Sequence, residues 1–409
     1  MWFYVQHLLI GHQQAEAARL DIPRGNLSDL YPRWLGAREL LLHHRDPYSA
    51  EVTREIQAGY YGRALDPSRP NDPRDQQAFA YPVYVVFLLA PAVRLPFSAV
   101  QMAFRWLLVL LTAASVRLWL RTLRWRPALS TEVILLLLTL CSFPVLQGIK
   151  LQQLTLLVSA LLAGSVFLLI KDQFGAAGVL LALATIKPQL VLLLSAWCLL
   201  WAFSDWRRRQ NLVWGFSGTM VALLAAAEYV LPGWMGQFWG AIAAYRQYND
   251  GAGSTLDVLT TPGWGKILSA LIVLALTVVA WRHRRASAES ASFAWVTVLT
   301  LATTIMFVPK ASPYNQVLLL PAVLLALQHW RALALGSRGI RVAAWTCSLL
   351  FLWPWAAALG LTLASTFLSR ESVQQAWAAP LYTSLLIPIV VPLLLASSYR
   401  ELTRPHPAG

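Results

Sequence analysis

Apolar runs long enough to cross a hydrocarbon layer as helices recur along this chain, residues 154–170 and 267–281 among them, and nearly all charge is confined to short segments between them. A soluble globular fold is excluded. Hydrophobic residues make up 57% of the 409, only 13% are charged, and mean hydropathy is +0.53. The pattern predicts an all-α, polytopic transmembrane bundle forming a single integral-membrane domain over residues 1–409. After a polar stretch, the apolar runs fall at about 79–96, 99–120, 131–147, 151–170, 174–186, 188–204, 211–231, 264–281, 290–308, 314–330, 341–367 and 378–398. No run alternates like a strand, and no fixed-period repeat is visible.

The net charge of +14 comes mostly from arginines that punctuate the apolar runs rather than forming a stripe. That argues against nucleic acid as a partner and for anionic headgroups or an anionic substrate. Cys141, Cys198 and Cys347 each lie inside an apolar run without a CxxC motif, so they read as small buried hydrophobes rather than disulfide or metal staples. Residues 1–10 lack the basic start and cleavage site of a signal peptide, and as a helix they would rise about 15 Å, a half-crossing.

Basic clusters at 117–126, 205–209, 282–285, 331–341 and 400–404, with Lys171, assign one face to the cytoplasm. Five other segments then share the far face: 148–153, 186–189, 232–262, 308–316 and 369–377. Together they carry Lys150, Lys187 and Lys310, and Lys266 follows the third segment by four residues. The polar stretch 13–78 holds more than half of the acidic residues, Asp21, Asp29, Glu39 and Asp46 among them. One acidic segment kept outside a uniform membrane bundle points to chemistry or capture. It reaches the far face only if 79–96, interrupted by Pro82, Pro91, Arg94 and Pro96, is a half-crossing or juxtamembrane segment; that is the expected arrangement.

Within Ser28-Asp29-Leu30-Tyr31-Pro32-Arg33-Trp34, Ser28 or Asp29 can cap a helix starting near Pro32. Alternatively the Asp29 carboxylate, beside Leu27 and Leu30 and flanked by Tyr31 and Trp34, has its ionisation governed by burial, as a general base requires. Asp46-Pro47-Tyr48 follows His43-His44-Arg45 at the end of that helix. The adjacent histidines point to different helix faces with no third ligand at helical spacing, so no metal is expected, and these side chains read as structural or as phosphate contacts. Tyr81 in Tyr81-Pro82 suits headgroup anchoring as well as a wall for a sugar or isoprenoid.

Lys150, Gln152 and Gln153 sit at one break between apolar helices, and Lys187-Pro188 at another. Snorkelling accounts for such lysines, and so does a cavity-facing helix break that binds phosphate. Arg246, with Tyr245, Tyr248, Asn249 and Asp250, and Lys310, with Tyr314 and Asn315, suit a carbohydrate with an anionic linker, or an interfacial helix touching lipid. Walker, HExxH, GxSxG and Rossmann motifs are absent, leaving ATP-driven transport, zinc hydrolysis, serine hydrolysis and dinucleotide chemistry without support.

In their order these features resemble glycosyltransferase family 87 of the GT-C superfamily. The features are Asp29 soon after a first apolar run, Asp46-Pro47-Tyr48 closing a helix, Tyr81-Pro82, a Gln-rich break, Lys187-Pro188, and a late loop ending at Tyr314. The resemblance extends from Ser28 to Pro321 and rests on order and spacing. Members often read Gly-Gln-x-Asn where this chain has Gly148-Ile149-Lys150-Leu151-Gln152-Gln153, and a glycine before Asp-Pro-Tyr where it has Arg45.

The resemblance implies a GT-C-type bundle of about 11–13 membrane segments, with 13–78 as an extracytoplasmic catalytic loop and 232–262 as a second such loop. It implies an inverting enzyme of the inner membrane, active on the periplasmic face, that moves a mannose-like hexose or a pentose from a polyprenyl-phosphate donor to a glycolipid or glycan acceptor. No nucleotide sugar, cofactor or metal is implied. Asp29 would be the general base; Lys187, Lys310, Arg246 and Lys150 would face the donor phosphate. Tyr31, Asp46, Tyr48, Tyr81, Gln152, Gln153 and Tyr314 would contact substrate. The alternative is a lipid-linked sugar flippase without catalysis, which calls for mid-helix charges and paired repeats that the sequence lacks.

Overall fold

The computed structural model describes residues 1–19, 28–66, 68–248, 253–308 and 312–404, apart from the side chains of Tyr248 and Arg370. Among them there is no strand. A π-helical stretch, Tyr4–Leu9, runs directly into α1 (Ile10–Arg19), so the short apolar start is the head of a longer helix. Tyr4, Val5, Leu8 and Leu9 bury themselves against Phe143, Ala358 and Val373.

The acidic stretch folds into α2 (Tyr31–His43) and α3 (Ala50–Tyr61). Ser49 caps α3 by accepting from the Val52 amide at 3.2 Å, and Gly62, at φ +85°, ends it where a side chain would be strained. Next comes α4 (Val85–Leu89) with a 3-10 turn, Ala90–Ala92. A five-residue helix rises only about 8 Å, so neither element of the run 79–96 is by itself long enough to cross a membrane.

The bundle continues through α5 (Phe97–Thr122), α6 (Leu129–Leu140), α7 (Phe143–Lys150), α8 (Leu154–Ile170), α9 (Phe174–Leu183), α10 (Pro188–Phe203) and α11 (Trp206–Val230). The segment 232–262 is largely helical, comprising α12 (Trp234–Tyr248) and α13 (Thr255–Leu259). Then follow α14 (Pro262–His283), α15 (Ala291–Phe307), α16 (Leu320–Gln328), α17 (Trp330–Ala334), α18 (Arg338–Ala364), α19 (Arg370–Gln375), α20 (Ile387–Ser397) and α21 (Tyr399–Thr403).

Four helices, α5, α11, α14 and α18, are long and apolar enough to cross a membrane, and α6 with α7, bent by 55°, make a fifth candidate span. Six shorter apolar helices of 10–17 residues accompany them. Of these, α8 and α15 are buried along most of their length, whereas α11, α14 and α18 turn residues such as Val221, Leu274 and Leu349 outward, as a lipid-facing surface requires. This is a polytopic helical membrane protein. Cys198 and Cys347 are buried as expected, but Cys141 is exposed, because it falls at the end of α6 where the chain bends into α7.

Helices α9 and α11 touch backbone to backbone through glycine, the close packing that substitutes for the hydrophobic effect between helices in lipid. A Cβ on Gly178 would lie 2.3 Å from the Leu212 carbonyl oxygen, and one on Gly215 would lie 2.2 Å from that of Gly175. Gly178→Val should therefore force the helices apart and destabilise the protein by about 1–3 kcal/mol. A lowered melting temperature in detergent would register this, while an unchanged one would refute the close crossing.

Candidate active site

Helix α2 starts at Tyr31 with no side-chain cap, because the two residues placed to cap it are engaged elsewhere. Ser28 Oγ donates to Gln152 Oε1 at 2.6 Å, the Asp29 amide donates to the Leu151 carbonyl at 3.0 Å, and Gln153 Nε2 donates to Asp29 Oδ2. The acidic segment is thus laced to the break between α7 and α8. Gln152, buried and at φ +47°, is occupied by this fastening: its Nε2 donates to the carbonyls of Ile149 and Lys150, and its Oε1 also accepts from Gln101 at 3.2 Å.

Gln153 does the opposite and links charged groups. Its Oε1 accepts from Lys187 Nζ at 2.8 Å, and Lys187, only 5% exposed, also donates to Thr155 Oγ1 at 2.8 Å. Thr155 Oγ1 in turn donates to Asn315 Oδ1 at 3.0 Å. Lys187 can sit there because α9 ends in a 3-10 turn, Ala184–Ile186, and Pro188 opens α10, which leaves the lysine in non-helical backbone. Its ammonium lies 5.9 Å from the Tyr81 ring centre and 5.3 Å from that of Tyr314. The Arg33 guanidinium stacks 4.4 Å over the other partner of that aromatic pair, Tyr81, and Arg33 Nη1 donates to the Asp29 carbonyl.

Burial raises the Asp29 carboxyl above the ordinary carboxylate range, and Arg33 and Lys187 pull against that rise. Asp29 forms no direct salt bridge among the described residues. Its Oδ2 is held by Gln153, and its Oδ1 has no hydrogen bond from a described residue. The carboxylate is fixed in place, and among the described residues one of its oxygens accepts no hydrogen bond.

The residues singled out in the sequence therefore divide. Asp29, Gln153, Lys187, Tyr81 and Tyr314 converge, and Gln152 fastens the junction. Tyr48 and Asp46 act as supports: Asp46 Oδ1 accepts from the Tyr48 amide at 2.8 Å, and the Tyr48 hydroxyl donates to the Tyr81 carbonyl at 2.5 Å. Tyr31 packs against Trp34 and Phe97, its hydroxyl pressed onto Gly59 of α3. Lys150 donates to Gln6 of the first helix at 3.4 Å, outside the Asp29 network. Arg246 is exposed, and Lys310 lies outside the described residues, as does Asp21.

Sequence reasoning missed Arg33, Thr155 and Asp75, and it favoured Arg246 over its neighbour Tyr245, which lies within electrostatic reach of Asp75, Arg33, Tyr81 and Asp29. Arg33 stands four residues after Asp29, one helical turn, which was the available signal. Of the five far-face segments, four meet around Asp29. The fifth, 369–377, docks on the first helix instead: Tyr4 donates to the Trp377 carbonyl at 2.6 Å and His12 stacks on the Trp377 ring.

A helical membrane bundle with a buried carboxylate–amide–lysine array beside tyrosines is the architecture of an enzyme that handles a polar group at a lipid interface. The profile of glycosyltransferase family 87 matches residues 79–309, more than half of the chain, and the protein belongs to that family. It is a membrane glycosyltransferase. No curated protein and no solved structure gives a significant match. The matched span is narrower than the resemblance read from the motifs: it includes Tyr81, Lys150, Gln152, Gln153, Lys187 and Arg246 and begins after Asp29. It is the fold that brings Asp29 onto the matched region.

An acid whose pKa is higher in the folded than in the unfolded chain holds its proton more tightly when folded, so its ionisation costs stability, and this cost grows as pH rises through the folded value. Asp29→Asn keeps an acceptor for Gln153 and removes the charge. Its melting temperature should equal or exceed that of wild type at about pH 7.5, with the gap closing as the solution is acidified. A variant clearly less stable than wild type at that pH would contradict a burial-raised carboxyl.

Proposed function

We propose that the protein transfers a mannose-like hexose or a pentose from a polyprenyl-phosphate donor to a hydroxyl of a glycolipid or glycan, with inversion, on the periplasmic face of the inner membrane. The observation that carries this reading is the Gln153 amide standing between the Asp29 carboxylate and the Lys187 ammonium. One amide group keeps a base and a cation close without letting them collapse into an ion pair.

The acceptor hydroxyl gives its proton to Asp29 Oδ1 as its oxygen bonds to the anomeric carbon. The bond from that carbon to the phosphate oxygen breaks, and its electron pair leaves on the lipid phosphate. A phosphate is already a good leaving group, so what it needs is positive charge rather than a general acid. Lys187 and Arg33, the cations whose fields act on Asp29, supply it. Tyr81 and Tyr314 wall the sugar, and Tyr245 faces the acceptor. The lipid tail fits an apolar cavity of about 640 Å³ between α6, α7, α16, α18 and α20, whose lining includes Gln316, next in sequence to the Asn315 of the network.

Incubation of the purified protein with a panel of polyprenyl-phosphate sugars, read by mass spectrometry, should show donor consumption. Asp29→Asn should lower transfer at least roughly a hundredfold while leaving donor binding intact. Activity within a few fold of wild type would eliminate Asp29 as the base. Uptake of a lipid-linked sugar into proteoliposomes with no product would favour the flippase instead. Lys187→Met should weaken donor binding about tenfold or more, since a charge-assisted contact to phosphate is lost. An unchanged donor titration would end the phosphate role of this lysine.

A further inference from the structure

Helices α5 and α8 each touch the candidate active site at one end only. Gln101 lies in the second turn of α5 and Gln153 immediately precedes α8. At their other ends, about 25 Å along α8, the two helices border a second cavity of about 840 Å³. Its wall carries Arg117, Arg121, Arg124, Arg126 and Lys171 against only two carboxylates, Glu132 and Glu289.

The carboxylates are already paired. Arg117 Nε meets Glu132 at 2.6 Å and Arg124 Nη2 meets Glu289 at 2.6 Å. Arg124, at φ +55°, is held in left-handed backbone at the turn that closes the cavity. The two ion pairs tie the end of α5 to α6 and to the segment before α15, so they brace the walls. Arg121, Arg126 and Lys171 form no ion pair among the described residues. Positive charge at a cytoplasmic helix end is ordinary, but a braced cavity with three uncompensated cations is a pre-shaped receptor for phosphate oxygens.

The remaining lining is apolar: Leu120, Trp125, Phe167 and Ile170. Helix α6, which contributes Glu132 to the wall, exposes Leu129, Val133, Ile134 and Leu137 along its length, a track on which hydrocarbon can lie. We propose that this cavity binds the phosphate headgroup of an anionic phospholipid from the leaflet opposite the active site, with its acyl chains along α6. The site is independent of the transfer reaction. A soluble phosphate compound offers the same headgroup chemistry without the chains, and the test separates the two.

Full-length protein in a neutral detergent would be mixed with phosphatidylglycerol or phosphatidylcholine and bound lipid read by native mass spectrometry. Phosphatidylglycerol should be retained at least tenfold better. The double variant Arg121→Ala, Arg126→Ala, which spares both ion pairs, should lose that preference, and Arg121→Lys with Arg126→Lys should restore much of it. Millimolar inorganic phosphate should not displace the lipid; displacement would assign the cavity to a soluble phosphate compound and overturn the lipid reading. Equal retention of the two lipids, or an unchanged preference in a double alanine variant that melts like wild type, would overturn the site altogether.

Discussion

One side-chain amide holds this structure's chemistry together. Gln153 gives its NH to the Asp29 carboxylate and its oxygen to the Lys187 ammonium, and so joins three stretches of chain far apart in sequence. Without it, a carboxylate and an ammonium at this depth would either neutralise one another in direct contact or each bear a large desolvation cost. With it, the two stay separate, oriented and partly satisfied. Ser28 and Gln152 reinforce the same junction one residue earlier on each side, which is why α2 forgoes its side-chain cap.

The arrangement also explains why the interior helices are short. Each buried apolar segment must stop where a polar group is to be delivered, and backbone that is not helical at such depth is tolerated only where it is enclosed by protein or lines a cavity. The break between α7 and α8 delivers Gln152 and Gln153, and the break between α9 and α10 delivers Lys187. The long outer helices have no such duty and present continuous apolar faces. Glycine contact between α9 and α11 brings the short helix hard against a long one.

Much of the site was legible because its residue types are out of place. An aspartate between leucines, glutamines between apolar helices and a Lys-Pro in mid-run are each costly in a membrane, and cost marks function. Arg33 was barely legible: beside Pro32 and Trp34 it looks like an interfacial anchor, its one-turn spacing from Asp29 is the sole hint, and the stacking on Tyr81 and the approach to Asp29 reveal its place. Tyr31, Asp46 and Tyr48, read from the sequence as substrate contacts, also brace the local structure, because a tyrosine hydroxyl or an aspartate can engage a nearby carbonyl or amide. Lys150, the last residue of α7, reaches Gln6 rather than the Asp29 network, because the chain leaves the helix before Gln152 and Gln153.

By itself the sequence determined that this chain is a helical membrane protein, where its helices break, and which polar residues those breaks display, because hydropathy and the demand for satisfied backbone hydrogen bonds act locally. It left open whether 79–96 crosses the bilayer, and hence which face the acidic segment shares. Tertiary structure makes that run a single short helix and turn, neither long enough to cross by itself. It also decided which breaks meet: pairing Asp29 with Gln153 and Gln153 with Lys187 depends on hydrogen bonds across 124 and 34 residues of sequence, whose geometry no local pattern encodes.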